Sequence, residues 1–173
     1  MIKMKKFALI LALLMLLTPL VGCGEKLLPE ERPDDFSFSL VWGAYGTSSY
    51  DSRMGKLVKT TDATNPEDYV TYLQLSDETL DYFYRLLRDL DVEDYPDEYD
   101  PDPHTMCSPS SALSITVRAG GRTKTVRVDD MAASRIAYIG KCKKYIETCT
   151  AIRDFLMQTE EWKALPEYEF FYD

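Results

Sequence analysis

Residues 112–128 read ALSITVRAGGRTKTVRV. Gly120-Gly121 suits a two-residue primed turn, because both central positions of such a turn want positive φ. That turn sets the pairing. Ala119 faces Arg122, Val117 faces Lys124, Ile115 faces Val126 and Leu113 faces Val128. The apolar residues of both arms then share one face, so turn chemistry and hydrophobic pattern agree on one register. A half-buried antiparallel hairpin needs something to cover its apolar face.

Upstream of the hairpin, residues 36–42 alternate: Phe36, Phe38, Leu40 and Trp42 point one way, Ser37 and Ser39 the other. This is the pattern of a half-buried strand. Residues 43–55 read as a Gly- and Ser-rich loop, and Lys56 to Thr61 as a short basic strand. Residues 62–68 are a turn-rich loop, and Tyr69 to Leu75 alternate again as a third strand. Ser76 is a good helix N-cap, with Asp77 and Glu78 complementing the helix dipole. Leu80, Phe83, Tyr84, Leu87 and Leu90 follow at helical spacing and predict an amphipathic helix ending near Asp91. Residues 92–109 form an acidic, proline-interrupted loop. Residues 129–140 are ambiguous and fit a turn of helix followed by a loop. Cys142, Tyr145, Ile146, Cys149, Ile152 and Leu156 predict a second helix, with Trp162 and Leu165 packing back onto the core. The tail, residues 168–172, alternates and fits an edge strand or a frayed end. The predicted class is α+β: an antiparallel sheet with two amphipathic helices on one face.

The N-terminus has a different character. Lys3, Lys5 and Lys6 precede an uninterrupted apolar run of eleven residues, Phe7 to Leu17. That is the length of a signal-peptide core, whereas a spanning helix needs about 20 residues. Thr18 and Pro19 break the run, and Leu20, Val21, Gly22 and Cys23 follow. This tetrapeptide resembles the lipobox of bacterial lipoproteins. The resemblance implies a diacylglyceryl group on the Cys23 thiol and cleavage before Cys23 by signal peptidase II. The expected organisation is a signal peptide over residues 1–22, a flexible acidic tether over 23–35, and one α+β domain over 36–173. The expected location is the extracytoplasmic face of the cell membrane, held by lipid.

Composition narrows the partners. The chain carries a formal net charge of −9, and losing the three lysines of residues 1–22 leaves 17 basic residues against 29 acidic ones. A nucleic-acid partner would want the opposite sign. An anionic bilayer surface would also repel this domain, so attachment must come from the lipid. Twelve tyrosines and seven phenylalanines provide apolar area for a core.

Candidate chemistry is sparse. His104, the one histidine, forms a His-x-x-Cys with Cys107 in a Pro-rich loop. A Cys–His nucleophile needs contact and a third, orienting group, and a zinc site needs about four ligands; neither is specified here. Cys142 and Cys149 lie seven residues apart, about 10 Å along a helix. A disulfide allows about 7 Å between Cα atoms, so any bridge must join Cys107 to one of them. The acidic loop holds Asp89, Asp91, Glu93, Asp94, Asp97, Glu98, Asp100 and Asp102 but no glycine and no EF-hand register, which favours a solvated loop over a calcium site. Neither a Gly-Lys-Ser/Thr phosphate loop nor a Gly-x-Ser-x-Gly elbow occurs. No catalytic residue, metal ligand or cofactor is nominated. The best candidate surface is Tyr45, Ser48, Ser49, Tyr50 and Asp51, which Tyr95 and Tyr99 could extend, because Tyr supplies contact area and Ser adaptable hydrogen bonds; the equal alternative is that these tyrosines pack on the sheet edge.

Four segments carry a further resemblance: GAYGTSSYDS (43–52), GKLVKTTD (55–62), YPDEYD (95–100) and TEEWKALPEYE (159–169). They look like an uncharacterised group of small lipoproteins of Gram-positive anaerobes. The order of elements also looks like a broader domain of unknown function in secreted bacterial proteins. The resemblance covers most of residues 36–173 and implies a fold but no activity. The leading expectation is a lipid-anchored domain that binds a protein or envelope ligand. The alternatives are a small envelope hydrolase or metal-dependent enzyme, and a structural envelope protein.

Overall fold

The computed structural model describes residues 26–44, 48–60, 68–100, 102–104, 108, 110–129 and 139–167. Six strands form one antiparallel sheet: β1 (Ser37–Ala44), β2 (Ser48–Asp51), β3 (Lys56–Thr60), β4 (Asp68–Tyr72), β5 (Ser111–Ala119) and β6 (Arg122–Val126). Their order across the sheet is β4-β3-β2-β1-β5-β6. The helices are α1 (Asp77–Leu90), α2 (Gly140–Gln158) and the single-turn α3 (Glu160–Lys163). The α+β class read from the sequence is the observed one.

The β5–β6 hairpin has the predicted register. Ala119 pairs with Arg122, Val117 with Lys124 and Ile115 with Val126, and the Leu113 N–H reaches the Val128 carbonyl at 2.8 Å. Gly120 and Gly121 have φ of 57° and 69°, a conformation in which a side chain would be strained. β1 then pairs with β5 so that Phe38 meets Val117 and Leu40 meets Ile115. One sheet face is therefore continuously apolar, and Tyr50 and Leu57 extend it across β2 and β3. The buried faces of α1 (Phe83, Leu87, Leu90) and α2 (Tyr145, Cys149, Ile152, Leu156) join these residues in one core. Thr79 donates its N–H to the Ser76 hydroxyl at α1's start, and Asp91 ends the helix in a left-handed conformation (φ 54°). Trp162 packs its ring 5.5 Å from Trp42, as its predicted return to the core requires.

Three expectations change. The loop expected over 43–55 contains β2, whose four residues include only one apolar side chain, too little for a visible alternation. The acidic loop after α1 is tied to the sheet. Val92 and Tyr95 are buried, and the Tyr99 N–H and the Arg127 N–H exchange bonds with Arg127 and Asp97 carbonyls, continuing the pairing past β6. The described part of the expected tether, residues 26–35, is a packed strap. Leu27 and Leu28 are buried, at 3% and 5% exposure. The Leu27 N–H donates to Glu93 at 2.6 Å, and the Tyr84 hydroxyl donates to the Pro29 carbonyl at 2.5 Å. Arg88 bonds the Glu30 carbonyl, and Arg32 bridges Asp77 and Asp81. The strap thus lies antiparallel along α1.

Candidate functional site

Among the described residues, the surface nominated from the sequence does not assemble. Tyr50 is 1% exposed, between Leu40 and Leu57 across the ladder, and its hydroxyl donates to the Leu73 carbonyl at 3.0 Å. Ser48 is fully buried and its Oγ accepts the Thr60 N–H. Strand alternation explains both: positions 48 and 50 point to the covered face. Ser49 and Asp51 are half-buried on the other face, and the Asp51 carboxylate accepts the Arg53 N–H at 2.9 Å. Tyr95 is also core, 3% exposed, with its hydroxyl on the Lys141 carbonyl. Tyr99 stacks edge-on against Tyr95 at 5.1 Å and shares a hydrogen bond with the Cys142 thiol. Burial pushes the Tyr95 hydroxyl up to about 12 and raises those of Tyr50, Tyr99 and Tyr145 as well. These phenols stay protonated and act as structural donors. Tyr45, Cys107 and Leu20 to Cys23 lie outside the described residues.

The thiol candidates are inert by environment. Cys142 and Cys149 are free and buried. Full burial pushes the Cys149 thiol up to about 12, which removes the thiolate at neutral pH. His104 is exposed. The acidic residues bond to cations on neighbouring elements instead of gathering: Asp97 with Lys124 at 2.6 Å, Glu98 with Arg127 at 3.3 Å and Glu93 with Arg122 at 3.5 Å. Among the described residues no group of three His, Cys, Asp or Glu is placed to hold a metal ion. No helix among them is long and apolar enough to cross a membrane.

A different site emerges where the strap enters the sheet. A cleft of about 540 Å³ lies between the end of the strap, the β2–β3 turn and the β5–β6 hairpin. Arg53, Arg118 and Arg122 line it, with Asp34 and Asp35 at the strap side and Ser52 and Thr123 between. The ladder explains the convergence. Arg118 stands opposite Ser37 on β1 and Thr123 on β6, on the face turned away from the helices. Its guanidinium donates to the Ser39 hydroxyl at 3.3 Å. Arg32, Arg88, Arg122, Arg127 and Arg153 each pair with a carboxylate. Among the described residues, no carboxylate lies within ion-pair distance of Arg53 or Arg118. Two guanidiniums without an ion-pair partner thus line one cleft, and a guanidinium fork matches a carboxylate or phosphate.

Asp35 lies outside ion-pair distance of Arg53 and Arg118 and turns both its oxygens to the hairpin turn. They accept the N–H groups of Gly121 and Gly120 at 2.8 Å each. These two bonds, Gly121 first, hold the Asp35 carboxyl below its ordinary value of 3.8. A depressed folded pKa means stability that is present above the ordinary value and lost as pH falls through the folded one. Asp35→Asn should therefore lower the melting temperature at pH 6. The gap to wild type should close as the pH drops below 3.8. A gap that is the same at pH 6 and pH 2.5 would show that the carboxylate charge plays no part in holding the turn.

The sequence reading missed Arg53, Arg118 and Arg122. Arg118 sits at an outward position of the predicted hairpin, so its face was legible. Its company was not, because Arg53 belongs to a different hairpin. No protein-family model matches the chain, and no curated protein matches it either.

Proposed function

We propose that this chain is a lipid-anchored, extracytoplasmic binding domain whose arginine cleft holds the anionic group of a ligand. The anchor rests on the lipobox-like Leu20-Val21-Gly22-Cys23, with lipid on the Cys23 thiol. The binding reading rests on one observation: Arg53 and Arg118, without carboxylate partners among the described residues, both face the cleft at the strap–hairpin junction. A bare guanidinium offers two parallel N–H donors, and charge-assisted bonds of that kind contribute about 1.5–3 kcal/mol each. Asp34, exposed on the same cleft, offers a place for a ligand ammonium. A carboxylate- or phosphate-bearing envelope component suits this lining better than an apolar ligand.

The test uses the mature chain with Cys23→Ser, which cannot be acylated. Inorganic phosphate and a tripeptide with a free carboxylate serve as probes, read by calorimetric titration. The wild-type cleft should bind at least one of them. Arg53→Gln with Arg118→Gln should weaken that binding by tenfold or more, as about 1.4 kcal/mol per tenfold requires, while the ligand-free melting temperature stays put. Equal binding by wild type and variant, or none by wild type, removes the cleft from consideration.

A further inference from the structure

The packed strap has a consequence for how the anchored domain meets the membrane. Lys26 already belongs to the folded body, since its Nζ pairs with Asp91 at 3.5 Å and the next residue is buried. Cys23 lies three residues earlier, which spans at most about 11 Å even fully extended. A lipid on Cys23 therefore holds one pole of the domain at the bilayer surface, with no length of tether for free rotation. The strap, the end of α1 and the start of α2 build that pole.

The charge of this pole differs from that of the whole chain. Lys26 and Lys144 flank the two oxygens of Asp91, Lys141 faces Asp94, Lys143 faces Glu147 and Arg122 faces Glu93. With Arg88, Asp89 and Glu30 of the same corner, six cations meet six carboxylates, so the pole is close to neutral where the chain as a whole carries −9. Lysines on the first turns of α2 keep roughly half or more of their side chains exposed. Ile139, directly before them, is 66% exposed. An exposed aliphatic side chain beside long, flexible cations is the composition of an interfacial contact: the aliphatic group enters the headgroup layer and the ammonium groups meet lipid phosphates.

We infer that the pole formed by Lys26, Ile139, Lys141, Lys143 and Lys144 rests on an anionic lipid surface and fixes the orientation of the domain. This rests on the acylation of Cys23, which intact mass reads independently. The experiment is lysine acetylation footprinting of the acylated full chain in vesicles of 30% phosphatidylglycerol in phosphatidylcholine. The non-acylated Cys23→Ser chain with the same vesicles is the reference. Lys141, Lys143 and Lys144 should react at least fivefold more slowly in the anchored protein, and Lys56 and Lys163 at unchanged rates. A ten-residue Gly-Ser insertion between Gly24 and Glu25 should restore the reactivity of the α2 lysines without releasing the anchor. Uniform lysine reactivity in the acylated, vesicle-bound protein overturns the orientation while leaving the anchor intact. Absence of an acyl mass on Cys23 overturns both.

Discussion

Tyr50→Ala should destabilise the domain by about 3–5 kcal/mol, the range for emptying a large aromatic site in a core. Whole domains are stable by about 5–15 kcal/mol, so the variant should sit near the edge of folding. The magnitude follows from the position. Tyr50 is 1% exposed, its ring lies 5.8 Å from Phe38, and Leu40 and Leu57 flank it across the ladder. Tyr50→Phe separates the ring from the hydroxyl. It keeps the packing and removes only the bond to the Leu73 carbonyl, at a cost of about 1–2 kcal/mol. Denaturant melts of the three proteins give the comparison. If Tyr50→Ala melts within about 0.5 kcal/mol of wild type, as surface changes usually do, then Tyr50 is a surface residue after all and the recognition surface read from the sequence regains its claim.

The contrast between Tyr50 and the β5–β6 hairpin shows what one sequence reveals. The hairpin was legible because local chemistry settled it: two glycines fixed the turn, and the turn fixed every pair out to Leu113 and Val128. The first helix was legible for similar reasons, with Ser76 at one end and an apolar stripe through Leu90. β2 carries no such signal. Ser48-Ser49-Tyr50-Asp51 looks like a loop with a recognition tyrosine until β1 and β3 close around it, and only those long-range pairings decide which way Tyr50 points. The cleft arginines pose the same problem. The hairpin pattern sends Arg118 outward, but Arg53 arrives beside it through the β2–β3 turn, and no spacing in the chain records that meeting. Charge counting misled as well. The acidic loop looked solvated because its partners, Arg122, Lys124 and Arg127, lie on β6 and just beyond it, some thirty residues later.

Leu27→Ser with Leu28→Ser should lower stability by about 4–6 kcal/mol, the lower part of what two buried leucines cost when truncated. The sequence offered no reason to expect this. Two adjacent leucines among prolines and acids show neither strand nor helix period, and such a stretch ordinarily reads as a linker. What holds them is the outer surface of α1. Tyr84 turns its hydroxyl to the Pro29 and Glu31 carbonyls, Arg88 takes the Glu30 carbonyl, and Arg32 spans Asp77 and Asp81. Residue 36 then enters the core, where Phe36 meets Tyr84 edge-on at 4.9 Å. Undocking the strap therefore exposes Tyr84 and leaves its hydroxyl without partners, so the loss should reach the global melt and not stop at a frayed end. Hydrogen exchange supplies the local reading. The Leu27 amide, bonded to Glu93, should be protected in wild type and exchange freely in the variant. If the melt is unchanged, residues 26–35 are a tether, and the proposed lipid on Cys23 would leave the domain free to rotate. If the melt falls as expected, the strap is part of the fold, and under the proposed acylation of Cys23 the same packing would set the distance of the domain from the membrane.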